Sequence, residues 1–173
     1  MTQTSTTVTG TSANDTIDCG SATAAKTVNG NGGNDTVTGS AFSDNLNGDD
    51  GNDTLTGAIG NDTLNGGNGN DTMTGSAGDD KLTGGSGDDT MTGSEGNDGL
   101  YGQGDNDTLN GGVGNDTLDG GTGSDIINGD ADNDSLTGPP SDLAVDTLDG
   151  GAGNDVCQGG GLLFRDSLTA CNP

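Results

Sequence analysis

Aspartate recurs every nine residues along most of this chain, each followed two positions later by an apolar residue. The unbroken series is Asp35, Asp44, Asp53, Asp62, Asp71, Asp80, Asp89, Asp98, Asp107, Asp116, Asp125 and Asp134; Asp146 and Asp155 resume it after an interruption at Pro139-Pro140. Carboxylates at fixed spacing could serve acid–base chemistry or hold a cation. The sequence has no His, so His-based acid–base catalysis and Ser–His or Cys–His nucleophile pairs are excluded. Glu95 is the only glutamate, EF-hand spacing is absent, and no Gly-rich segment carries a phosphate-loop Lys. The donors on offer are carboxylates, Asn side chains and backbone carbonyls exposed by Gly. This hard-oxygen set suits Ca²⁺ rather than zinc or copper, and suits it better than Mg²⁺, which prefers to keep its waters.

The elements that position these residues follow from the same period. Every unit opens with Gly, from Gly30, Gly39 and Gly48 onward, and twelve units of nine fill residues 30–137 without a slip. The first six residues of a unit, as in Gly66-Gly67-Asn68-Gly69-Asn70-Asp71, are expected to form a turn. The last three, such as Thr72-Met73-Thr74, are expected to form a short strand with its middle side chain inward. One unit buries nothing by itself. Two units close a coil of eighteen residues, and parallel strands of successive coils stack about 4.8 Å apart. The apolar residues then form two facing ladders. The aspartates form two columns, one with Asp35, Asp53 and Asp71, the other with Asp44, Asp62 and Asp80. Like charges at that spacing repel, so a cation is expected between them.

Composition adds a condition. Among 173 residues there are 28 acidic and 3 basic side chains, a formal charge of −25, and 37 glycines. Few apolar residues and high net charge are the signature of a disordered chain. One inward residue per unit makes a thin core, so ion binding is expected to be part of folding. Six regular aspartates per column leave five gaps each, which gives about ten sites. With only Lys26, Lys81 and Arg165 as cations, nucleic acid and anionic membrane surfaces are poor partners, and no apolar run is long enough to insert into a membrane.

Gly66-Gly67-Asn68-Gly69-Asn70-Asp71-Thr72-Met73-Thr74 resembles the nonapeptide of RTX, or hemolysin-type calcium-binding, proteins, as do Gly84–Thr92, Gly111–Asp119, Gly120–Asn128 and Gly150–Gln158. The resemblance implies an all-β, right-handed parallel β-roll with Ca²⁺ in the turns. It also implies a secreted or cell-surface setting in which calcium drives folding after export. The fourteen aspartates named above are the expected metal ligands. Phe42, Asp105 and Asp132 depart from the pattern by replacing the fourth-position Gly, and those turns are expected to be distorted. Lys26 stands where a column Asp belongs, and its ammonium is a candidate substitute for a terminal ion.

The expected organisation is an N-terminal cap with degenerate repeats (1–29), the twelve regular units (30–137), and irregular repeats with a C-terminal cap (138–173). Cys157 and Cys171 lie close enough in sequence to close that cap with a disulfide; otherwise Cys157 fills an apolar slot and Cys171 is free. Cys19, at the far end of a linear solenoid, is free or pairs outside this chain. The chain reads as a structural and binding module, not an enzyme. Two alternatives remain open. Thr36/Thr38, Thr54/Thr56, Thr72/Thr74 and Thr90/Thr92 would stack as a Thr-x-Thr face similar to those of ice-binding β-solenoids. Otherwise the chain is a C-terminal secretion or folding module detached from an enzyme, toxin or adhesin.

Overall fold

The computed structural model describes residues 6–138, 144–159 and 167–171. The insertion around Leu162, Leu163 and Phe164, the Pro139-Pro140 interruption and Asp166 lie outside the described residues.

Eighteen strands follow one another with no helix among the described residues. The first six are β1 (Thr7–Thr9), β2 (Thr16–Asp18), β3 (Thr27–Gly32), β4 (Thr36–Thr38), β5 (Asn45–Asp50) and β6 (Thr54–Ile59). The middle of the chain forms β7 (Thr63–Asn68), β8 (Thr72–Ala77), β9 (Lys81–Ser86), β10 (Thr90–Glu95), β11 (Gly99–Gly104) and β12 (Thr108–Val113). The last are β13 (Thr117–Thr122), β14 (Ile126–Ala131), β15 (Ser135–Thr137), β16 (Thr147–Asp149), β17 (Val156–Gln158) and β18 (Ser167–Thr169). Odd-numbered strands form one nine-stranded sheet and even-numbered strands the other. Each strand pairs in parallel with the strand two before it, as when Thr72, Met73 and Thr74 lie beside Thr90, Met91 and Thr92. The chain is a parallel β-solenoid of eighteen residues per coil.

The apolar ladders lie inside. Leu46, Leu55, Leu64, Leu82, Leu100, Leu109 and Leu118 are fully buried, and Met73 and Met91 fill equivalent rungs. The degenerate N-terminal unit joins the same core through Val28. Insertions leave the ladder intact. Thr27 pairs Thr7, a step of twenty that absorbs Cys19-Gly20. Thr147 pairs Ile126 across the segment containing Pro139-Pro140. In a solenoid each coil contacts only its neighbours, so extra residues can leave the coil without disturbing the next pair.

One expectation needs correction. From β5 to β14 the strands are six residues long, not three, and the turn shrinks to three residues such as Gly60-Asn61-Asp62. The strand runs through the opening Gly of the next unit and bends one residue later, where Ala58 and Ser76 have φ of 86° and 89°. Pairing resumes beyond the bend, with Ala58 beside Ser76 and Ile59 beside Ala77. Continued parallel pairing satisfies backbone groups that a Gly-rich turn would leave to water.

Cys157 on β17 and Cys171 just after β18 form a disulfide with Cα atoms 5.6 Å apart, which ties together the ends of the two sheets. Cys19 is a buried free thiol packed at the N-terminal end of the core.

Candidate metal centre

The column aspartates are buried, Asp71 at 2% exposure and Asp155 at 0%. All fourteen ligands expected from sequence fall in this buried set, in two columns on opposite edges of the coil. Their two carboxylate oxygens have different surroundings. Oδ1 accepts a hydrogen bond from the backbone N–H of the Asp one coil earlier. Asp53 N–H donates to Asp71 Oδ1 at 2.7 Å, Asp71 N–H to Asp89 Oδ1 at 2.8 Å, and Asp62 N–H to Asp80 Oδ1 at 2.7 Å. This ladder is not visible in the sequence, because it depends on a residue eighteen positions away. It offsets part of the charge repulsion with protein donors alone.

Oδ2 is different. Among the described residues, Oδ2 of Asp35, Asp53, Asp62, Asp71, Asp80, Asp89, Asp98, Asp107, Asp116, Asp134 and Asp155 is buried without a hydrogen-bond donor. A buried carboxylate oxygen without a donor is costly, and its chemistry suits a cation. The opening Gly of each unit forms the wall of that space. A Cβ built on Gly66 would overlap Asp71 Oδ2 and stand 2.8 Å from the carbonyl oxygen of Gly84. At Gly84 it would overlap Asp89 Oδ2 and stand 2.9 Å from the oxygen of Gly102. Each cradle therefore brings a carboxylate oxygen near a backbone carbonyl of the next coil. No three carboxylate or thiol side chains converge in a cluster among the described residues, so an ion held here would need backbone carbonyls as further donors. The arrangement fits a hard divalent cation held between coils. Such an ion would neutralise stacked carboxylates while the protein supplies preformed oxygen donors.

The Asn residues have another task. Asn52 N–H donates to Asn34 Oδ1 and Asn70 N–H to Asn52 Oδ1, each at 3.1 Å, and the same pattern links Asn97, Asn115 and Asn133. These side-chain oxygens zip the exposed turns together. This ladder points back toward earlier coils, whereas the adjacent Asp ladder points forward.

The turns with substituted glycines are not alike. Fourth-position Gly69 has φ of 125°, and Asp105 and Asp132 reach 74° and 80° at the same position. Asp tolerates that left-handed region, so these two turns keep the common form. Phe42 does not enter it, and β4 ends at Thr38 instead of continuing for six residues. In this turn Ser40 N–H donates to Asp44 Oδ2 at 2.5 Å. Asp44 thus has both oxygens hydrogen-bonded, Oδ1 by the Lys26 amide, in contrast to Asp62, Asp71 and Asp80, whose Oδ2 has no donor.

Burial raises the proton affinity of the central carboxylates. The amide bond from the preceding coil lowers it, and neighbouring carboxylates raise it again. Asp71, Asp80 and Asp107 are pushed up to about 7, and Asp89 and Asp116 to about 6. Asp53, Asp62, Asp98 and Asp134 are shifted in the same direction, chiefly by burial. Without a cation, the column competes for protons near neutrality.

Fold and site together define a class: a parallel β-solenoid whose stacked turns present buried carboxylate and carbonyl oxygens to cations. The chain belongs to the RTX calcium-binding nonapeptide repeat family, whose four-copy repeat matches residues 29–64, 65–100, 101–136 and 145–161. No match is found among curated proteins.

Proposed function

We propose that this chain is an extracellular calcium-folded β-roll, a non-catalytic structural and binding module whose column aspartates, Asp35 through Asp155, supply the ligands. The observation that carries the reading is the repeated buried Oδ2 without a donor, set beside a Gly carbonyl of the next coil. About ten ions would occupy the regular coils, two oxygen-lined columns wide. They would bring the charge of −25 close to neutral. The Cys157–Cys171 disulfide accords with an oxidising, exported setting. At neutral pH, far-ultraviolet circular dichroism is expected to show an unordered chain in chelator. Millimolar calcium should produce a β spectrum that chelator reverses, and calorimetry should give about ten ions. A chain already β-rich in chelator at neutral pH would overturn the coupling.

A second reading is favoured by one observation. On the even-numbered sheet, exposed Thr36, Thr54, Thr72 and Thr90 stand in direct register, and Thr38, Thr56, Thr74 and Thr92 form a second column beside them. The odd-numbered sheet at comparable rows carries Asn45, Thr63, Lys81 and Gly99. β-Propensity acts on both sheets and does not account for this asymmetry. Four charge-free rows at about 4.8 Å make a regular hydroxyl and methyl lattice suited to ordered water. On this reading the calcium-loaded chain produces thermal hysteresis and shapes ice crystals, and Thr72→Lys abolishes both. Freezing behaviour equal to that of buffer removes the reading.

A further inference from the structure

The two faces of the solenoid differ at the row where the strands bend. On the odd-numbered sheet that row is Asn31, Asp49, Gly67, Gly85, Gln103 and Gly121, each in register with the next. On the even-numbered sheet it is Ala58, Ser76, Ser94, Gly112 and Asp130, so a side chain stands there in all but one coil. Glycine puts no side chain on the surface, and Gly67, Gly85 and Gly121 leave a trough in the odd-numbered sheet. Asn65 and Asn68, on either side of Gly67, wall it. One hollow of about 630 Å³ is lined from Asn31 to Gln103, and a second of about 340 Å³ from Lys81 to Gly121. Gln103 lines both, so the two meet there. From β3 to β13 the trough crosses five strand spacings, roughly 24 Å.

Tyr101 stands at the second hollow. It is the only tyrosine in the chain, and there is no tryptophan. It lies in register between Thr83 and Asp119. Its strand opens with Gly99 where the neighbouring strands have Lys81 and Thr117. A Cβ built on Gly99 would stand 3.2 Å from Tyr101 Cε2 and 3.4 Å from its hydroxyl oxygen. The half-buried ring therefore leans back along its own strand, over the space that Gly99 leaves. The Lys81 ammonium is 5.6 Å from the ring centroid. Thr83, Gln103 and Asp119 complete the rim, and the Gly121 amide holds Asp119 Oδ1 at 3.2 Å. An aromatic ring thus stands beside an ammonium, a hydroxyl, an amide and a carboxylate, an apolar surface with both donors and acceptors around it.

We infer that this trough binds a linear, uncharged glycan, with one pyranose ring seated against Tyr101. The C–H face of a sugar packs on an aromatic ring, and each sugar hydroxyl both donates and accepts, which suits the mixed rim. The hollows have the volume of small-molecule sites, and the length of the trough suits a chain of sugars rather than one. Charge selects against other polymers. Asp49, Asp50 and Asp119 line the trough against the single cation Lys81, so nucleic acids and acidic polysaccharides are repelled. An extended peptide has no sheet edge to join, because the strands of the floor are paired on both sides.

The test uses the full chain in calcium, with folding verified by circular dichroism, so that a failure of the calcium reading shows before any sugar is added. Because Tyr101 is the sole tyrosine, its ultraviolet emission reports on this site. Cellohexaose and chitohexaose serve as uncharged probes and a hyaluronan hexasaccharide as the acidic counterpart, titrated by calorimetry and by Tyr101 emission. At least one uncharged probe is expected to bind saturably and change the emission, and the acidic one to do neither. Tyr101→Ala is expected to weaken binding about tenfold. Gln103→Ala is expected to weaken it severalfold, and Tyr101→Phe to keep most of it. Ile126→Thr, exposed on the opposite sheet, is expected to leave it unchanged. Absence of saturable binding with both uncharged probes overturns the inference, as does a Tyr101→Ala chain that binds like the parent. Equal binding of the acidic hexasaccharide overturns it as well. If Tyr101→Ala does not fold, Gln103→Ala and the emission response of the parent chain decide.

Discussion

In chelator, the chain is expected to gain β structure when acidified to about pH 4 and to lose it as the pH is raised through 6 to 7. The sign follows from the buried columns. The unfolded aspartates titrate near 3.8, whereas in the fold Asp71, Asp80 and Asp107 titrate at about 7 and Asp89 and Asp116 at about 6. The native state therefore holds protons more tightly than the unfolded chain. That contribution to stability is fully present below the unfolded value. It is lost as pH rises through the folded values, when the native carboxylates ionise without compensation. Protons and calcium thus answer the same need, and the calcium midpoint should climb as the pH falls from 8 to 6. Circular dichroism and hydrodynamic radius across pH 3 to 8, with and without calcium, measure both effects. A metal-free chain unordered at pH 4 would show that neutralising the columns is not sufficient for folding.

Gly84→Ala is expected to impair calcium binding and folding strongly by adding one methyl group. Gly84 is not among the glycines with positive φ, so its backbone accepts Ala without conformational strain. The cost comes from space, because the new Cβ would overlap Asp89 Oδ2 beside the Gly102 carbonyl. The methyl would occupy the cradle and shift a carboxylate whose Oδ1 also holds the Asp71 amide. The variant should bind at least one calcium fewer and need much more calcium to fold. Asp89→Asn provides the contrast. It preserves an oxygen that can accept from Asp71 and removes one charge from the column. It should therefore lose calcium yet be easier to fold in chelator at neutral pH than the parent chain. Native mass spectrometry and calcium titrations on both variants, with exposed Thr90→Ala as control, separate space from charge. Wild-type ion numbers in both variants would place the cations somewhere other than these cradles.

The path from sequence to site was legible where the signal is local. Leu46, Leu55, Leu64 and their counterparts recur with the aspartates, and all are buried as that recurrence requires. The Cys157–Cys171 pairing was one of two open possibilities, and the fold brings the two residues together. The strand length was misread because Gly57 and Gly66 look like turn residues by type. They lie within strands, where Asp62 and Asp71 leave no room for a side chain, so Gly at these positions answers a packing need and not a turn. The turn at Phe42 was expected to be distorted along with those at Asp105 and Asp132. Only Phe42 leaves the common form, since Asp adopts the left-handed backbone and Phe does not.

The sequence by itself determined the period, the inward residue of each strand, the eighteen-residue coil and the oxygen-only donor set. These follow from residue types at fixed separations, and a short repeat states them again in every unit. Only the tertiary structure decided how each carboxylate divides its two oxygens between an amide of the preceding coil and the buried cradle. It also decided that Asp44 has no oxygen to spare while Asp62 does. The physical reason is that stacking brings together residues eighteen or more positions apart. A carboxylate's partners are set by that contact, and its own nine-residue unit does not contain them.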